Sequence, residues 1–286
     1  MTLRARLAAL VFLGIVGVGG IIFVAKTHSD SVALADGASL ENQGRYFEIS
    51  TTSLQSLPAA TTSTKKLNLP ILVYHIVRPA YPGDSRAVRA IALTPETFDA
   101  QMKYLGMAGY HVVRFSDLEA YFGSGTPLPP KPVILSFDDG WSDQFTYALP
   151  ILEKYRYTAT FFVFTNPIGT RGFLSWDNLR ALLDAGMTIG AHTRSHPYLT
   201  KITDPGMLWK EIDGSKQKLE KKLNVPVSEF AYPFGQYNAA IVAMVKKAGY
   251  ASARGDYFSG EQTAARLYEL SAMNAPTTTA LFEEKF

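Results

Sequence analysis

The stretch PVILSFDDG, from Pro132 to Gly140, carries the strongest structural signal in this chain. Its apolar first part predicts a buried strand. Two adjacent carboxylates, Asp138 and Asp139, come at the end of that strand, and Gly140 lets the backbone turn sharply there. Neighbouring side chains at a strand end point in different directions. One carboxylate can therefore bind a metal ion while the other faces a substrate.

A second cluster, HTRSH from His192 to His196, follows another apolar run about fifty residues later. Two imidazoles four residues apart on one helical turn can share one ion. Either pattern alone is common in proteins without a metal, but the two together are more specific. With Asp139, one carboxylate and two histidines leave open positions on a zinc-like ion, as in a catalytic site. The chain has no cysteine that could close the site as a fourth ligand.

These two clusters resemble motifs of the polysaccharide deacetylases with a NodB homology domain, also called carbohydrate esterase family 4. The resemblance covers roughly residues 67–273. The segment from Ser136 to Gly140 resembles the first family motif, Thr-Phe-Asp-Asp-Gly, and the segment from His192 to His196 resembles the second, His-Ser/Thr-x-x-His.

The resemblance implies a role for each of these side chains. Asp139, His192 and His196 would bind a divalent metal, with Zn²⁺ as the expected ion. Asp138 would be the general base that takes a proton from the attacking water.

A third segment, from Phe230 to Gly235, resembles the family motif Arg-x-Pro-Tyr/Phe-Gly. The resemblance implies that the backbone N–H of Phe234 donates to the oxyanion. Ala231 stands where most of the family has an arginine that orients the catalytic aspartate. We therefore expect Asp138 to be held by other means, or to have a different basicity.

In the more common members of this family, a Leu-x-His motif near the C-terminus provides the general acid. This chain has no histidine after His196, so the acid must come from elsewhere. His28 lies in a polar segment, and His111 is expected to be an ordinary strand residue. His75 ends the first strand candidate of the domain. This arrangement is similar to the circularly permuted branch of poly-N-acetylglucosamine deacetylases, in which a Tyr-His after the first strand supplies the acid. The resemblance implies that His75 is the acid, and the alternative is a histidine that is only hydrogen-bonded at a strand end.

Aromatic residues next to the motifs are candidates for stacking on sugar rings. They are Trp141, Tyr198 and Tyr232. Ordinary packing is the alternative for each of them.

The organisation of the domain follows from alternating strand and helix signals, which predict a parallel sheet. Three helix endings share an Ala-Gly pair, at Gly109, Gly186 and Gly249, where glycine can take the left-handed position. Thr94 before Pro95 predicts a capped helix start, and Ser116 with Glu119 predicts a capping box. Further helices are expected over 144–155, 176–185, 205–223 and 237–248. With the family resemblance, the prediction is an α/β fold, a distorted parallel (β/α) barrel with about seven strands.

The N-terminus predicts export. Arg4 and Arg6 precede an uncharged apolar run over residues 7–25, which is long enough to span a hydrocarbon core of about 30 Å. Residues 1–26 are thus expected to form a transmembrane helix that keeps the domain outside the cytoplasm, periplasmic or extracellular. The alternative is a cleaved signal peptide, with a small-residue site at Ala33 to Ala35 and a secreted product. Residues 27–66 are expected to be a flexible polar linker, residues 67–275 the catalytic domain and residues 276–286 a tail.

The composition suits one large domain. The chain has 286 residues, 47% of them hydrophobic, and its net charge of +3 is too small to indicate a nucleic-acid partner. The prediction is an exported, metal-dependent hydrolase that removes N-acetyl groups from an N-acetylglucosamine polysaccharide, its expected partner besides the membrane. The alternatives are an enzyme of the same fold acting on acetylated xylan or a small amide, and a silent sugar-binding module.

Overall fold

The computed structural model describes residues 65–255 and 260–286. The predicted anchor over residues 1–26 and nearly all of the predicted linker lie outside these ranges. None of the helices within the two ranges combines the length and the apolarity that crossing a bilayer requires.

The described residues form short strands and mostly short helices. The strands are β1 (Lys66–Asn68), β2 (Ile71–Tyr74), β3 (Ile76–Val77), β4 (Ala92–Leu93), β5 (His111–Val112), β6 (Pro132–Phe137), β7 (Thr160–Val163), β8 (Thr188–Ala191), β9 (Glu229–Ala231), β10 (Ser252–Arg254), β11 (Glu261–Thr263) and β12 (Met273–Asn274). The α-helices are α1 (Arg86–Arg89), α2 (Pro95–Met107), α3 (Phe115–Gly123), α4 (Leu149–Tyr155), α5 (Trp176–Asp184), α6 (Pro205–Leu223), α7 (Ala239–Lys247) and α8 (Thr279–Lys285).

Seven parallel strands build the main sheet, in the order β10-β9-β8-β7-β6-β2-β12. The short strand β5 also pairs with β6, at its beginning. An isolated parallel bridge between Arg254 and Leu270 joins β10 to the segment that leads into β12, the strand at the other end of the order. The predicted parallel α/β barrel with about seven strands is therefore confirmed.

Side chains along the strands alternate between two apolar cores, as the two-residue period of a strand requires. In β6, Val133 and Leu135 belong to the larger core, which the helices cover. Ile134, between them, belongs to a smaller core together with Ala231 of β9 and Phe162 of β7. This smaller core fills the inside of the barrel. The alternation fixes which residue of each strand end faces inward.

Several local predictions are confirmed, and one is wrong. Thr94 caps α2 by accepting a hydrogen bond from the Thr97 N–H. The glycines of the three Ala-Gly endings have φ values of 76°, 81° and 77°. The capping box predicted at Ser116 and Glu119 does not form. The helix begins at Phe115, and the Asp117 side chain accepts from the Arg114 N–H instead.

The predicted helix over 144–155 begins with a π-helical turn over residues 144–148 and continues as α4. Asp143 directly precedes this turn, and its carboxylate accepts a hydrogen bond from the Val77 N–H at 3.3 Å. The end of β3 is thereby tied to the start of the π-helical turn.

The C-terminal segment packs onto the domain. The ring of Phe282 in α8 is fully buried and meets Tyr104 of α2 edge-on, with ring centroids 6.1 Å apart. The Tyr104 hydroxyl donates to the Glu283 carbonyl. Residues 279–286 are thus part of the folded body.

Candidate active site

The polar side chains predicted for the site gather at the carboxyl ends of neighbouring parallel strands. His75 follows β2, the two aspartates follow β6, His192 follows β8 and Phe234 follows β9. Tyr74 and Phe137 are partners in the register of β2 and β6, and the Asp138 N–H donates to the Tyr74 carbonyl at 2.9 Å. The topology of a parallel barrel brings these residues together on one rim.

Three of them form a cluster with the geometry of a metal site. The ligand atoms of Asp139, His192 and His196 lie within 4.8 Å of one another. The two Nε2 atoms are 3.1 Å apart, and Asp139 Oδ1 lies 3.5 Å from Nε2 of His196 and 3.8 Å from Nε2 of His192. Ligands about 2.0–2.1 Å from a tetrahedral zinc ion stand roughly 3.3 Å from one another. The donor set and its spacing therefore fit such an ion.

The protonation of the two histidines suits that role. His192 Nδ1 lies 2.8 Å from the Ala231 carbonyl, a hydrogen bond that places the proton on Nδ1 and leaves Nε2 free to bind a cation. Burial and the neighbouring His192 lower the pKa of His196 to about 4. At neutral pH His196 can therefore present a lone pair to a cation.

A glutamate outside the motifs holds the loop between the histidines. Glu211 of α6 accepts from the backbone N–H groups of Arg194 and Ser195, each at 2.9 Å, and from the Ser195 hydroxyl at 2.8 Å. The loop needs such support because Thr193 and His196 have left-handed backbones, with φ of 70° and 58°. No spacing rule pointed to Glu211 in the sequence.

Asp138 is 5% exposed, and its charge is balanced by a buried arginine. Arg254 Nη2 donates to Asp138 Oδ1. Burial raises the pKa of Asp138, but Arg254 and the nearby histidines outweigh it and hold the pKa below its ordinary value. The carboxylate is therefore ionised and able to accept a proton at neutral pH.

The position of Arg254 explains the unusual alanine in the third motif. Arg254 is the register partner of Ala231 on the neighbouring strand. Its guanidinium carbon lies 4.8 Å from the centre of the Phe162 ring, inside the barrel. The small side chain of Ala231 belongs to the same interior core. The orienting cation thus comes from β10 instead of β9, which the sequence reasoning missed.

Gln144, at the start of the π-helical turn, joins two parts of the rim. Its amide Nε2 donates to the carbonyls of His75 and Asp138. His75 itself is partly exposed, and its charge acts on the pKa values of both Asp138 and His196. The predicted acid and the predicted base therefore lie in the same small site, and Gln144 fixes the backbones that carry them.

Asp139 and Phe234 also have left-handed backbones, with φ of 72° and 57°. Such strain in non-glycine residues concentrates at functional sites. Gly140, directly after the two aspartates, has φ of 73°, and a Cβ there would lie 2.8 Å from Val163 Cγ1. The turn that presents the aspartates therefore requires glycine.

The three aromatic candidates have different surroundings. Trp141 stacks on Phe173, and Tyr198 stacks on Phe234 with ring centroids 3.8 Å apart. Tyr198 and Phe234 are both exposed. Tyr232 is only 1% exposed, and its hydroxyl donates to the Tyr268 carbonyl. Strand alternation turns its ring toward the helices, so Tyr232 is not retained as a sugar contact.

Comparisons with known proteins agree with this architecture. The family model for polysaccharide deacetylase matches residues 125–253. The chain is 28% identical over 186 residues to the protein YxkH of Bacillus subtilis, a match that covers 65% of this chain and 63% of the relative's length. It is 26% identical over 201 residues to a poly-beta-1,6-N-acetyl-D-glucosamine N-deacetylase of Staphylococcus aureus, covering 62% of this chain and 68% of that protein.

Solved structures give the same result. The deacetylase PplD of Streptococcus pyogenes superimposes with a TM-score of 0.68 at 26% identity, covering 73% of this chain and 92% of that chain. A polysaccharide deacetylase of Bacillus cereus superimposes with a TM-score of 0.66 at 26% identity, covering 77% of this chain and 68% of that chain. The resemblance to the polysaccharide deacetylases that the motifs predicted is thereby confirmed.

Proposed function

We propose that this protein is a metal-dependent polysaccharide deacetylase that hydrolyses N-acetyl groups of an N-acetylglucosamine polymer. The observation that carries the proposal is a buried carboxylate, Asp138, kept ionised by Arg254 directly beside the cluster of Asp139, His192 and His196. A general base next to a metal site with open positions is typical of metal-dependent hydrolases. A module that only binds sugars has no use for it.

Asp139, His192 and His196 would hold the ion, and Zn²⁺ suits two imidazoles and one carboxylate. When bound, such an ion supplies a Lewis acid that polarises the acetyl carbonyl and makes water more acidic. Asp138 takes the proton of the attacking water. Its lowered pKa keeps the carboxylate ionised and ready to accept at neutral pH, and its Oδ2 lies 4.0 Å from His192 Nε2, next to the cluster.

The remaining groups act on the oxyanion and the leaving group. The N–H of Phe234 donates to the oxygen that becomes negative, and removal of one such donor commonly costs about 3 kcal/mol of transition-state stabilisation. His75, as the imidazolium, gives a proton to the leaving nitrogen. Amide cleavage needs this proton because an amine anion leaves very poorly, and so a working acid favours an N-acetyl substrate.

The substrate class rests on the relatives. The Staphylococcus aureus relative is named for deacetylation of poly-beta-1,6-N-acetyl-D-glucosamine. An exposed pair of stacked rings, Tyr198 and Phe234, lies beside His196 and offers an apolar surface next to the reacting group. We assign Tyr198 and Trp141 to the walls of the sugar site.

The apolar run over residues 7–25 leads us to propose that the domain works outside the cytoplasm. It would be held by a membrane helix over residues 1–26 and a linker over residues 27–66. Fractionation of cells that produce the full chain, with a protease added to intact cells, tests this arrangement. A protease-accessible membrane protein supports it, and a protease-resistant soluble protein contradicts it.

The function is tested by acetate release from N-acetylglucosamine oligomers with Zn²⁺, with a chelator, and with the Asp138→Asn variant. His111→Gln is the matched control, because His111 is exposed on β5 and its ring hydrogen-bonds the Pro130 carbonyl, away from the proposed site residues. We expect release that needs the metal, disappears in Asp138→Asn and persists in His111→Gln. Release only from acetylated xylan or a small amide would contradict the proposed substrate. A metal-loaded domain that binds sugar without hydrolysing any of these compounds would contradict the proposed enzymatic function.

A further inference from the structure

The two oxygens of Asp139 have different partners. Oδ1 faces the histidine nitrogens of the metal cluster, at 3.5 and 3.8 Å. Oδ2 accepts a hydrogen bond from the indole Nε1 of Trp141, at 3.1 Å. The carboxylate is therefore oriented by a side chain two residues away along the chain.

Asp139 needs this support because the backbone alone does not orient its carboxylate. The residue follows the last residue of β6 by two positions and has a left-handed backbone, with φ of 72°. The last torsion of an aspartate is broad and roughly two-fold, so an unsupported carboxylate can turn either oxygen, or both, toward an ion. A donor fixed on Oδ2 leaves Oδ1 as the ligand and keeps other positions on the ion open.

The indole is itself held in place by a neighbouring loop. Its ring stacks on Phe173 with centroids 4.7 Å apart and an interplanar angle of 20°. The backbones of Trp141 and Phe173 form an antiparallel bridge, and the Leu174 N–H donates to the Gly140 carbonyl at 2.8 Å. Phe173 also meets the ring of Phe164 edge-on. The N–H is thus aimed at Asp139 before any ion arrives.

We propose that Trp141 is a positioning residue for the metal ligand Asp139, besides any contact that its ring makes with substrate. The inference rests on the metal cluster of the proposed function. Partners of this kind commonly change metal affinity by about 10–100-fold when they are removed. The expected consequence concerns the affinity for the ion, and it holds in the absence of any sugar.

The test is the Kd for Zn²⁺ of the purified protein, measured by competition with a chromophoric chelator without substrate. Trp141→Phe keeps an aromatic ring that can stack on Phe173 and removes the N–H donor together with the second ring of the indole. Trp176→Phe is the matched control, since it removes the same atoms from a tryptophan that begins α5 and packs against the larger core. We expect the Kd to rise about 10-fold or more for Trp141→Phe and to stay within about twofold for Trp176→Phe.

Thermal unfolding of the metal-free proteins shows whether the variants fold. If Trp141→Phe fails to fold, Phe173→Leu takes its place, because it removes the ring on which the indole rests, and a smaller rise in Kd is expected. An unchanged Kd in the folded variant, with only the KM for sugar raised, would overturn the proposal and leave Trp141 as a sugar contact. This measurement is independent of turnover, so its failure is distinct from a failure of the proposed function.

Discussion

A buried carboxyl group lies near each end of the paired strands β9 and β10, and the pKa values of the two groups are shifted in opposite directions. At the rim, Arg254 of β10 binds Asp138 and holds the pKa of this carboxyl below its ordinary value. At the amino ends of the strands, which form the bottom of the barrel, Glu229 of β9 is 6% exposed. Burial together with the nearby Glu119 raises its pKa to about 7. Glu229 and Arg254 lie only two register positions apart on the paired strands.

The comparison shows that burial alone does not make a catalytic base. Burial raises the pKa of both carboxyl groups. A fixed cation inside the barrel reverses the effect for Asp138, whereas a second carboxyl group adds to it for Glu229. We therefore expect substitutions at the rim to change the chemistry and substitutions at the bottom to change only the pH dependence of stability.

The largest of these effects is expected at His75. His75→Ala removes the proposed acid without touching the three metal ligands, so kcat should fall about 10²-fold or more. The Kd for Zn²⁺ and the melting temperature should stay close to those of the wild type. Steady-state acetate release, chelator competition and thermal unfolding measure these three quantities. Equal losses of turnover and metal affinity would show that His75 has a structural or metal-binding role instead.

A smaller effect is expected at the bottom of the barrel, for Glu229→Gln. The pKa of Glu229 in the folded protein, about 7, is above the ordinary value of about 4.5 for a glutamate, so the folded state holds its proton more tightly than the unfolded state. The contribution of Glu229 to the free energy of unfolding is therefore fully present below about pH 4.5. It falls by up to about 1.4 kcal/mol per pH unit as the pH rises to about 7. The groups that act on Glu229 are Glu119, Lys216 and the backbone N–H groups of residues 228 and 229.

Glu229→Gln removes this slope, so the variant should be more stable than the wild type at pH 8 and equally stable at pH 4. Chemical denaturation at several pH values measures the difference, and Glu153→Gln on the exposed face of α4 controls for the loss of one charge. Acetate release should be unchanged. A stability difference that does not vary with pH, or a loss of activity, would contradict the expectation that Glu229 affects only the pH dependence of stability.

Much of the rim was predictable because its residues come from short motifs at the ends of strands. Asp139, His192 and His196 follow apolar runs, and a parallel sheet necessarily brings such ends to one side. The sequence could not identify Arg254 or Glu211, since each reaches the site only through tertiary pairing. Arg254 depends on the register of β9 with β10, and Glu211 depends on how α6 packs against the histidine loop.

The differences between local expectations and the structure have equally local causes. The expected capping box at Ser116 does not form, because the Asp117 side chain accepts from the Arg114 N–H at 2.8 Å and the helix begins at Phe115. Tyr232 follows directly after β9, and the alternation along that strand turns its ring into the outer core. Motif membership alone did not indicate which face of the strand the residue occupies.

The most direct test of the role of Arg254 moves the buried arginine to β9, the strand on which most of the resembled family carries it. Arg254→Ala should lower kcat/KM about 10²-fold or more and move the ionisation assigned to Asp138 to higher pH, because burial then acts on the carboxyl group without a cation. Adding Ala231→Arg to that variant places a guanidinium on the register partner, inside the same core. We expect the double variant to recover activity and the wild-type pH profile of kcat/KM. Wild-type kcat/KM and an unmoved pH profile in the folded Arg254→Ala variant would contradict this role.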